Sequence, residues 1–323
     1  MRRIGASRST VLVAVAAVGI ALAACSGPAT SSAPTTDVSA TGEHVAPTAR
    51  VARIAVVAST NVYGNIAATI GGPAVSVTSI IDRPDADPHA YQADARTRLA
   101  LQRADVVIEN GGGYDDFVDT LRQAGGPSDA TVVNAVALSG HEDGSRGGLN
   151  EHVWYDLPTM RALAGRLTAV FSQRDPEHAQ GFAKRAKAFE SALNRLIGVE
   201  ASLAHRYRGT PVAITEPLPV YLLSACGLVN LTPPAFSEAV EEGIDVSPRV
   251  LSRTLRLFDP ADPGVSVLIQ NIQTDDAATR LVRQAASDAG VPVVPVTETL
   301  PAGLGYLDWM RGNLHALRTA LGS

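Results

Sequence analysis

Short apolar runs alternate with amphipathic segments over most of the chain beyond residue 50. Runs of this length, bounded by turn residues, are typical of buried strands, and their alternation with helical periodicity predicts parallel sheets covered on both faces. The predicted strands are Ile54–Ala58, Ala74–Ile81, Asp105–Ile108, Thr131–Val133, Pro211–Ile214, Val265–Gln270 and Val291–Val296. The predicted helices are Thr97–Ala104, Asp116–Ala124, Leu157–Ser172, Pro176–Ala204, Val220–Ala225, Pro248–Phe258, Asp276–Ala289 and Leu307–Leu321. The fold class is therefore α/β.

The longest helical pattern runs from Pro176 to about Ala204. Asp175 is a suitable N-cap and Pro176 a suitable first helical residue. Apolar side chains recur at helical spacing at Phe182, Phe189, Leu193, Leu196 and Ile197. Such a helix would be roughly 43 Å long. We therefore predict two Rossmann-like lobes, residues 51–173 and 209–323, joined by one long backbone helix at 174–208.

The first 24 residues have the pattern of a secretory signal. Three arginines precede an apolar run from Val11 to Ala24, and the first 24 residues contain no acidic residue. The run is shorter than the roughly 20 residues that span a bilayer, which argues against a transmembrane anchor. Leu22-Ala-Ala-Cys25 reads as a lipobox. We predict a signal peptide at 1–24, a lipid on Cys25, and a location on the extracytoplasmic face of the cell membrane.

Residues 25–50 predict a tether, and the overall composition excludes some classes of function. The segment after Cys25 is rich in Ser, Thr, Pro, Ala and Gly, so it cannot bury enough apolar surface to order itself and predicts a flexible tether. Removing residues 1–24 changes the net charge from −5 to −8. This charge, with only 5% aromatic residues, argues against nucleic-acid binding. Cys226 is the only other cysteine, so no intrachain disulfide forms once Cys25 is lipidated.

Two histidines lie in loops suited to ligand binding. His89 follows the second strand in Asp87-Pro-His-Ala-Tyr91, where ligands of open α/β sheets collect. His152 lies in Asn150-Glu-His-Val-Trp-Tyr-Asp156, a short approach to a helix that suits a metal ligand. A single loop histidine is more simply a surface residue, but two such loops in one lobe favour a metal site. His141 could assist metal capture, whereas His44 falls in the tether and His178, His205 and His315 are expected to face solvent.

The second lobe offers carboxylates instead of histidines. Glu216 and Glu298 each follow a predicted strand, so both are expected to face the same cleft as the histidines. Asp275 and Asp276 also follow a strand, but a helix N-cap is the simpler interpretation. No GxSxG, P-loop, HExxH or CxxC motif occurs. Asn110-Gly-Gly-Gly113 is expected to be a tight strand-to-helix turn.

The chain resembles the cluster A-I substrate-binding lipoproteins, which are the zinc and manganese receptors of bacterial ABC transporters. The resemblance rests on the lipobox, the long helix and the two loops Asp87–Tyr91 and Asn150–Trp154. The resemblance implies a metal site in the inter-lobe cleft, with ligands His89, His152, Glu216 and Glu298. Two departures stand out: Gln92 replaces a common Glu, and Glu298 is longer than the usual Asp.

The resemblance also implies the function. The chain would capture one divalent transition metal ion, Zn²⁺ or Mn²⁺, as cargo and deliver it to an ABC permease, as a monomer and without enzymatic activity. Two histidines and two carboxylates suit either ion. The alternative is an extracytoplasmic metallohydrolase, which would need an open coordination position and a general base, for which Glu151 is the candidate. A cobalamin or siderophore receptor would need more aromatic residues in the cleft.

Overall fold

The computed structural model describes residues 53–83, 91, 94–126, 128–141, 149–259, 261 and 264–322. Contacts group residues 50–323 into one compact unit. The predicted signal, tether and Cys25 lie outside the described residues. The lobe boundaries at residues 173 and 208 stay predictions, because one hydrophobic core runs through both halves of this unit, from Ile54 to Leu317.

The first half of this unit contains a parallel sheet. Among the described residues its strand order is β2-β1-β3-β4. Those strands are β1 Ile54–Thr60, β2 Val75–Ile81, β3 Val106–Glu109 and β4 Thr131–Asn134. The helices of this half are α1 Asn61–Gly71, α2 Ala95–Gln102, α3 Phe117–Ala124, α4 Ala135–Ser139 and α5 Leu157–Arg174. The chain reverses its winding direction between β1 and β3, which is where open sheets bind ligands.

The second half repeats this topology. Its described strands have the order β6-β5-β7-β8 and are also parallel. They are β5 Pro211–Ile214, β6 Val229–Asn230, β7 Leu268–Asn271 and β8 Val293–Val296. The helices are α7 Val220–Ala225, α8 Pro234–Glu241, α9 Pro248–Leu255, α10 Ala277–Asp288 and α11 Tyr306–Ala320. The predicted α/β class with two parallel sheets is confirmed.

A single long helix, α6 Ala179–Tyr207, connects the two halves. It has 29 residues, and Phe182, Phe189, Leu193 and Leu196 are buried along it as the spacing predicts. The predicted start at Pro176 is wrong. Pro176–His178 form a 3₁₀ turn, because the Asp175 carboxylate accepts a hydrogen bond from the His178 backbone amide and tightens the chain before the α-helix begins.

Other differences from the predicted elements have local causes. Helix α1 was not predicted, because Gly64, Gly71 and several β-branched residues weaken its helical signal. Gly64 allows α1 to pack closely on β2, since a Cβ there would lie 2.1 Å from the Ser79 hydroxyl. The strand predicted from Val265 begins only at Leu268, and α9 ends at Leu255 before a 3₁₀ turn.

Side chains of the first half hold the second half directly. The Asn61 side chain donates to the Leu300 carbonyl and accepts from the Leu300 amide, each at 2.9 Å. The Tyr306 hydroxyl donates to the Trp154 carbonyl at 2.7 Å. The first pair of bonds holds the loop after β8 against the start of α1, and the Tyr306 bond holds the start of α11 against the loop containing His152. Every helix in the part of the chain that the structure describes is too short or too polar to span a bilayer.

Candidate metal centre

His152 lies fully buried in the loop that precedes α5. Its ring packs edge-on against Trp154, with the ring centroids 5.0 Å apart, and Tyr114 lies beyond. The ring nitrogen Nδ1 is 2.7 Å from the side-chain oxygen of Asn150. An amide oxygen only accepts hydrogen bonds, so this contact places the proton on Nδ1 and leaves Nε2 as the nitrogen available to a metal.

Asn150 is itself held by the second half of the molecule. Its side-chain NH₂ group donates to the Pro217 carbonyl at 3.0 Å. The backbone carbonyl of Asn150 accepts a hydrogen bond from the Tyr221 hydroxyl at 2.7 Å. Because the amide nitrogen is committed to a carbonyl, the orientation of the Asn150 side chain is determined by its hydrogen bonds. The ring of His152 is therefore positioned by contacts that reach the loop beside Glu216.

Glu216 and Glu298 meet at Asn271, the last residue of β7. Both carboxylates are buried, with exposed fractions of 2% and 5%. The Asn271 side-chain amide donates to Glu216 Oε2 at 2.5 Å and to Glu298 Oε1 at 3.1 Å. Two carboxylates from separate strand ends thus share one donor. The prediction that Glu216 and Glu298 face one cleft agrees with this arrangement.

Tyr114 reaches this cluster from the first half. Its hydroxyl donates to Glu298 Oε2 at 3.3 Å. The residue follows Asn110-Gly-Gly-Gly113, a tight turn as predicted, in which all three glycines have positive φ. The Asp115 carboxylate closes the turn by accepting from the amides of Asn110 and Gly111, at 2.6 and 2.8 Å. The turn therefore aims Tyr114 at the carboxylates of the other half.

Glu241, at the end of α8, is a member of the cluster that the sequence analysis missed. Its Oε1 lies 3.3 Å from His152 Nε2, and its side chain is only 15% exposed. Burial, together with the charges of Glu151, Glu216 and Glu298, raises the pKa of Glu241 to about 9. A sequence signal exists, because Pro234 at the first helical position and Phe236 and Val240 at helical spacing indicate this helix.

The predicted four-ligand set is brought together only in part. His152, Glu216 and Glu298 share the buried network around Asn271, Tyr114 and Glu241. His89 falls outside the described residues, as does Gln92. Among the residues the structure describes, no three His, Cys, Asp or Glu side chains stand in an arrangement that could hold a metal ion. The ligand roles of His89, His152, Glu216 and Glu298 therefore stay predictions.

The structure gives the contacts of the other polar residues that the sequence singled out. Asp276 is the N-cap of α10 and forms a capping box with Thr279. Asp275 is exposed and pairs with Arg280 and Arg283. His141 stacks on Tyr221, with ring centroids 4.4 Å apart, and its Nε2 lies 3.4 Å from the Asp156 carboxylate. His205 and His315 are exposed as predicted, whereas His178 is half-buried beside Asp175.

Replacing Asp276 with alanine should destabilise the protein without changing metal binding. The substitution removes the hydrogen bond from the Thr279 amide to the cap, a loss of about 1 kcal/mol in the free energy of unfolding. The melting temperature of the metal-free and metal-loaded protein should fall equally. If Asp276→Ala instead lost the metal-induced stabilisation, Asp276 rather than Glu298 would be the ligand on this side of the cleft.

Comparison with known proteins agrees with this architecture. Residues 56–320 match the family described as "Zinc-uptake complex component A periplasmic" (ZnuA). The chain belongs to this family. The matched residues include both sheets apart from the first two residues of β1, together with α6 and all the described residues of the cleft named above.

Individual relatives differ in the share of their length that aligns with this chain. The manganese-binding lipoprotein MntA of Bacillus subtilis is 30% identical over 147 residues, 45% of this chain and 48% of that protein. The chain thus spans about half the length of the first curated relatives it matches. The manganese ABC transporter substrate-binding lipoprotein ScaA of Streptococcus gordonii is 22% identical across 97% of this chain and 98% of its own length.

Solved structures support the fold. A mutant structure of the laminin-binding adhesin Lmb from Streptococcus agalactiae superposes with a TM-score of 0.70 and 20% identity, covering 83% of this chain and 99% of that one. At this identity the similarity applies to the fold alone. Membership of the ZnuA family gives no support to the metallohydrolase alternative.

Proposed function

We propose that this ZnuA-family chain is a lipid-anchored receptor that captures one divalent transition metal ion outside the cytoplasm and delivers it to an ABC permease. The observation that carries the proposal is the buried cleft in which His152 presents Nε2 toward a carboxylate while Glu216 and Glu298 converge on Asn271. Imidazole nitrogen and carboxylate oxygen are the donors that zinc and manganese both accept.

The proposed ligands are His89, His152, Glu216 and Glu298. His152 is already oriented by Asn150, which is the outer-shell hydrogen bond that metal-binding histidines usually have. The name of the ZnuA family refers to zinc uptake, and two relatives are named for manganese. We therefore propose Zn²⁺ or Mn²⁺ as the cargo, carried by a monomer that performs no chemistry on it.

The test of this function is the metal content of the full chain. Protein extracted in detergent and stripped with a chelator should regain about one Zn²⁺ or one Mn²⁺ per chain after desalting. Loading with both ions should not increase the total, because they compete for the same site. Protein that retains no ion, or zinc-loaded protein with a hydrolase activity that His152→Ala removes, would contradict the proposal.

The lipid anchor has a separate test. Cells expressing Cys25→Ala should accumulate the unprocessed precursor and fail to label the protein with a fatty-acid analogue, because the acceptor thiol is lost. Cys226→Ala is the matched control. Cys226 is fully buried, and burial and the nearby Glu200 raise its thiol pKa to about 12, so it should not accept lipid. Normal labelling of Cys25→Ala would contradict the lipoprotein assignment.

A further inference from the structure

The contact between Glu241 and His152 joins two elements that lie far apart in the sequence. Glu241 ends α8 in the second half of the molecule, and His152 precedes α5 in the first half. The His152 side chain is fully buried and that of Glu241 is 15% exposed. The Glu241 oxygen therefore approaches the imidazole in a nearly water-free part of the cleft.

The atoms in contact are the ones a metal ion would bind. Asn150 accepts the hydrogen bond from Nδ1, so Nε2 is the nitrogen that faces the Glu241 oxygen. Their separation is 3.3 Å. A direct charge-assisted N–H···O bond is shorter, about 2.7–2.9 Å. Two ligands bound to one ion at about 2.1 Å lie about 3.0–3.4 Å apart for angles between octahedral and tetrahedral. The observed separation fits two ligands of a shared ion.

The surrounding charge also favours a cation at this point. Glu151, Glu216 and Glu298 all act electrostatically on Glu241, and each of these charges opposes a further negative charge in the cleft. Like charges that are removed from water repel strongly because the local dielectric is low. A divalent cation between His152 and Glu241 would reverse the sign of these interactions, since it attracts all of the carboxylates.

The geometry points to Glu241 as a direct ligand of the captured ion and as the residue that adjusts the site toward harder ions. This inference rests on the proposed function and extends it, because none of the four predicted ligands comes from α8. Together with His152, Glu216 and Glu298, Glu241 makes four donors within the described part of the cleft, three of them carboxylates. Oxygen-rich donor sets suit Mn²⁺ better than Zn²⁺, which prefers sets richer in nitrogen or sulfur.

The experiment compares Glu241→Gln with Glu242→Gln in the full, metal-stripped chain. Glu242 is the adjacent residue and is exposed, so Glu242→Gln removes one nearby negative charge but keeps the side chain that faces His152. Dissociation constants for Mn²⁺ and Zn²⁺ are measured by competition with a fluorescent chelator. We expect Glu241→Gln to weaken Mn²⁺ binding at least tenfold and Zn²⁺ binding less, and Glu242→Gln to change neither by more than about twofold.

The outcomes separate this inference from the proposed function. If the unmodified chain bound no metal, the proposed function itself would fail. If His152→Ala lost binding while Glu241→Gln bound both ions as tightly as the unmodified chain, or more tightly, Glu241 would not be a ligand. Glu241→Asp keeps the charge but shortens the side chain, so it should lose Mn²⁺ affinity too. Melting of each metal-free variant identifies any loss that comes from misfolding.

Discussion

Replacing His152 with alanine is expected to abolish the rise in melting temperature that Zn²⁺ or Mn²⁺ gives the full chain. The proposed ligands come from separate loops in both halves of the molecule, so a bound ion stabilises the folded state relative to the unfolded one. At a free metal concentration 1,000 times the dissociation constant, this adds about 4 kcal/mol to the free energy of unfolding. At about 2–4 °C per kcal/mol, we expect a rise on the order of 8 °C or more.

The measurement is the difference in melting temperature with and without metal for each variant. His152 is fully buried against Trp154, so His152→Ala should also lower the melting temperature of the metal-free protein, and only the metal-induced shift is diagnostic. His315→Ala is the matched control, because His315 is exposed on α11. A full shift in His152→Ala would contradict the metal-receptor proposal. Glu298→Ala should shrink the shift as well.

Replacing Glu200 with glutamine is expected to stabilise the protein strongly at alkaline pH. Glu200 is buried in the C-terminal half of α6, and burial, with a contribution from the charge of Asp156, raises its pKa to about 8. Below pH 4.5 the carboxyl is protonated in both the folded and the unfolded state, so it adds no pH dependence to the free energy of unfolding. Between pH 4.5 and pH 8 only the unfolded chain releases the proton. The free energy of unfolding therefore falls by about 1.4 kcal/mol for each pH unit.

Glutamine carries no titrating proton, so Glu200→Gln removes this loss. Relative to the unmodified chain, its free energy of unfolding should rise by roughly 3 kcal/mol between pH 5 and pH 8. The measurement is chemical denaturation of the metal-free protein across that range. Glu190→Gln on the same helix, where the side chain is half-exposed, is the control and should show no such trend. A difference between Glu200→Gln and the unmodified chain that is independent of pH would contradict the buried, uncharged state of Glu200.

The sequence by itself determined the class of the fold and most of its elements. Short apolar runs at β1, β3 and β5 predict strands because buried parallel strands leave no solvent-facing positions for polar residues. Helix α6 was predicted from its apolar spacing, and the capping role of Asp276 from its position before a helix. Patterns within about ten residues carry these features, so no knowledge of distant contacts is needed.

The sequence also indicated His152, Glu216 and Glu298 as candidates, since each follows a strand or precedes a helix where parallel sheets collect ligands. It did not indicate what surrounds them. Asn271 and Tyr114 have no distinctive local motif, yet they join Glu216 and Glu298 across the cleft.

Only the tertiary structure decided that Glu241 lies against His152 and that Asn150 leaves Nε2 as the nitrogen facing it. Glu241 and His152 are 89 positions apart in the sequence, whereas Asn150 and His152 are two positions apart. Local periodicity carries no information about which loop of one half meets which helix of the other. That pairing depends on the burial of the shared core and on interlocking hydrogen bonds such as Asn61 with Leu300, which form only when the whole chain has packed.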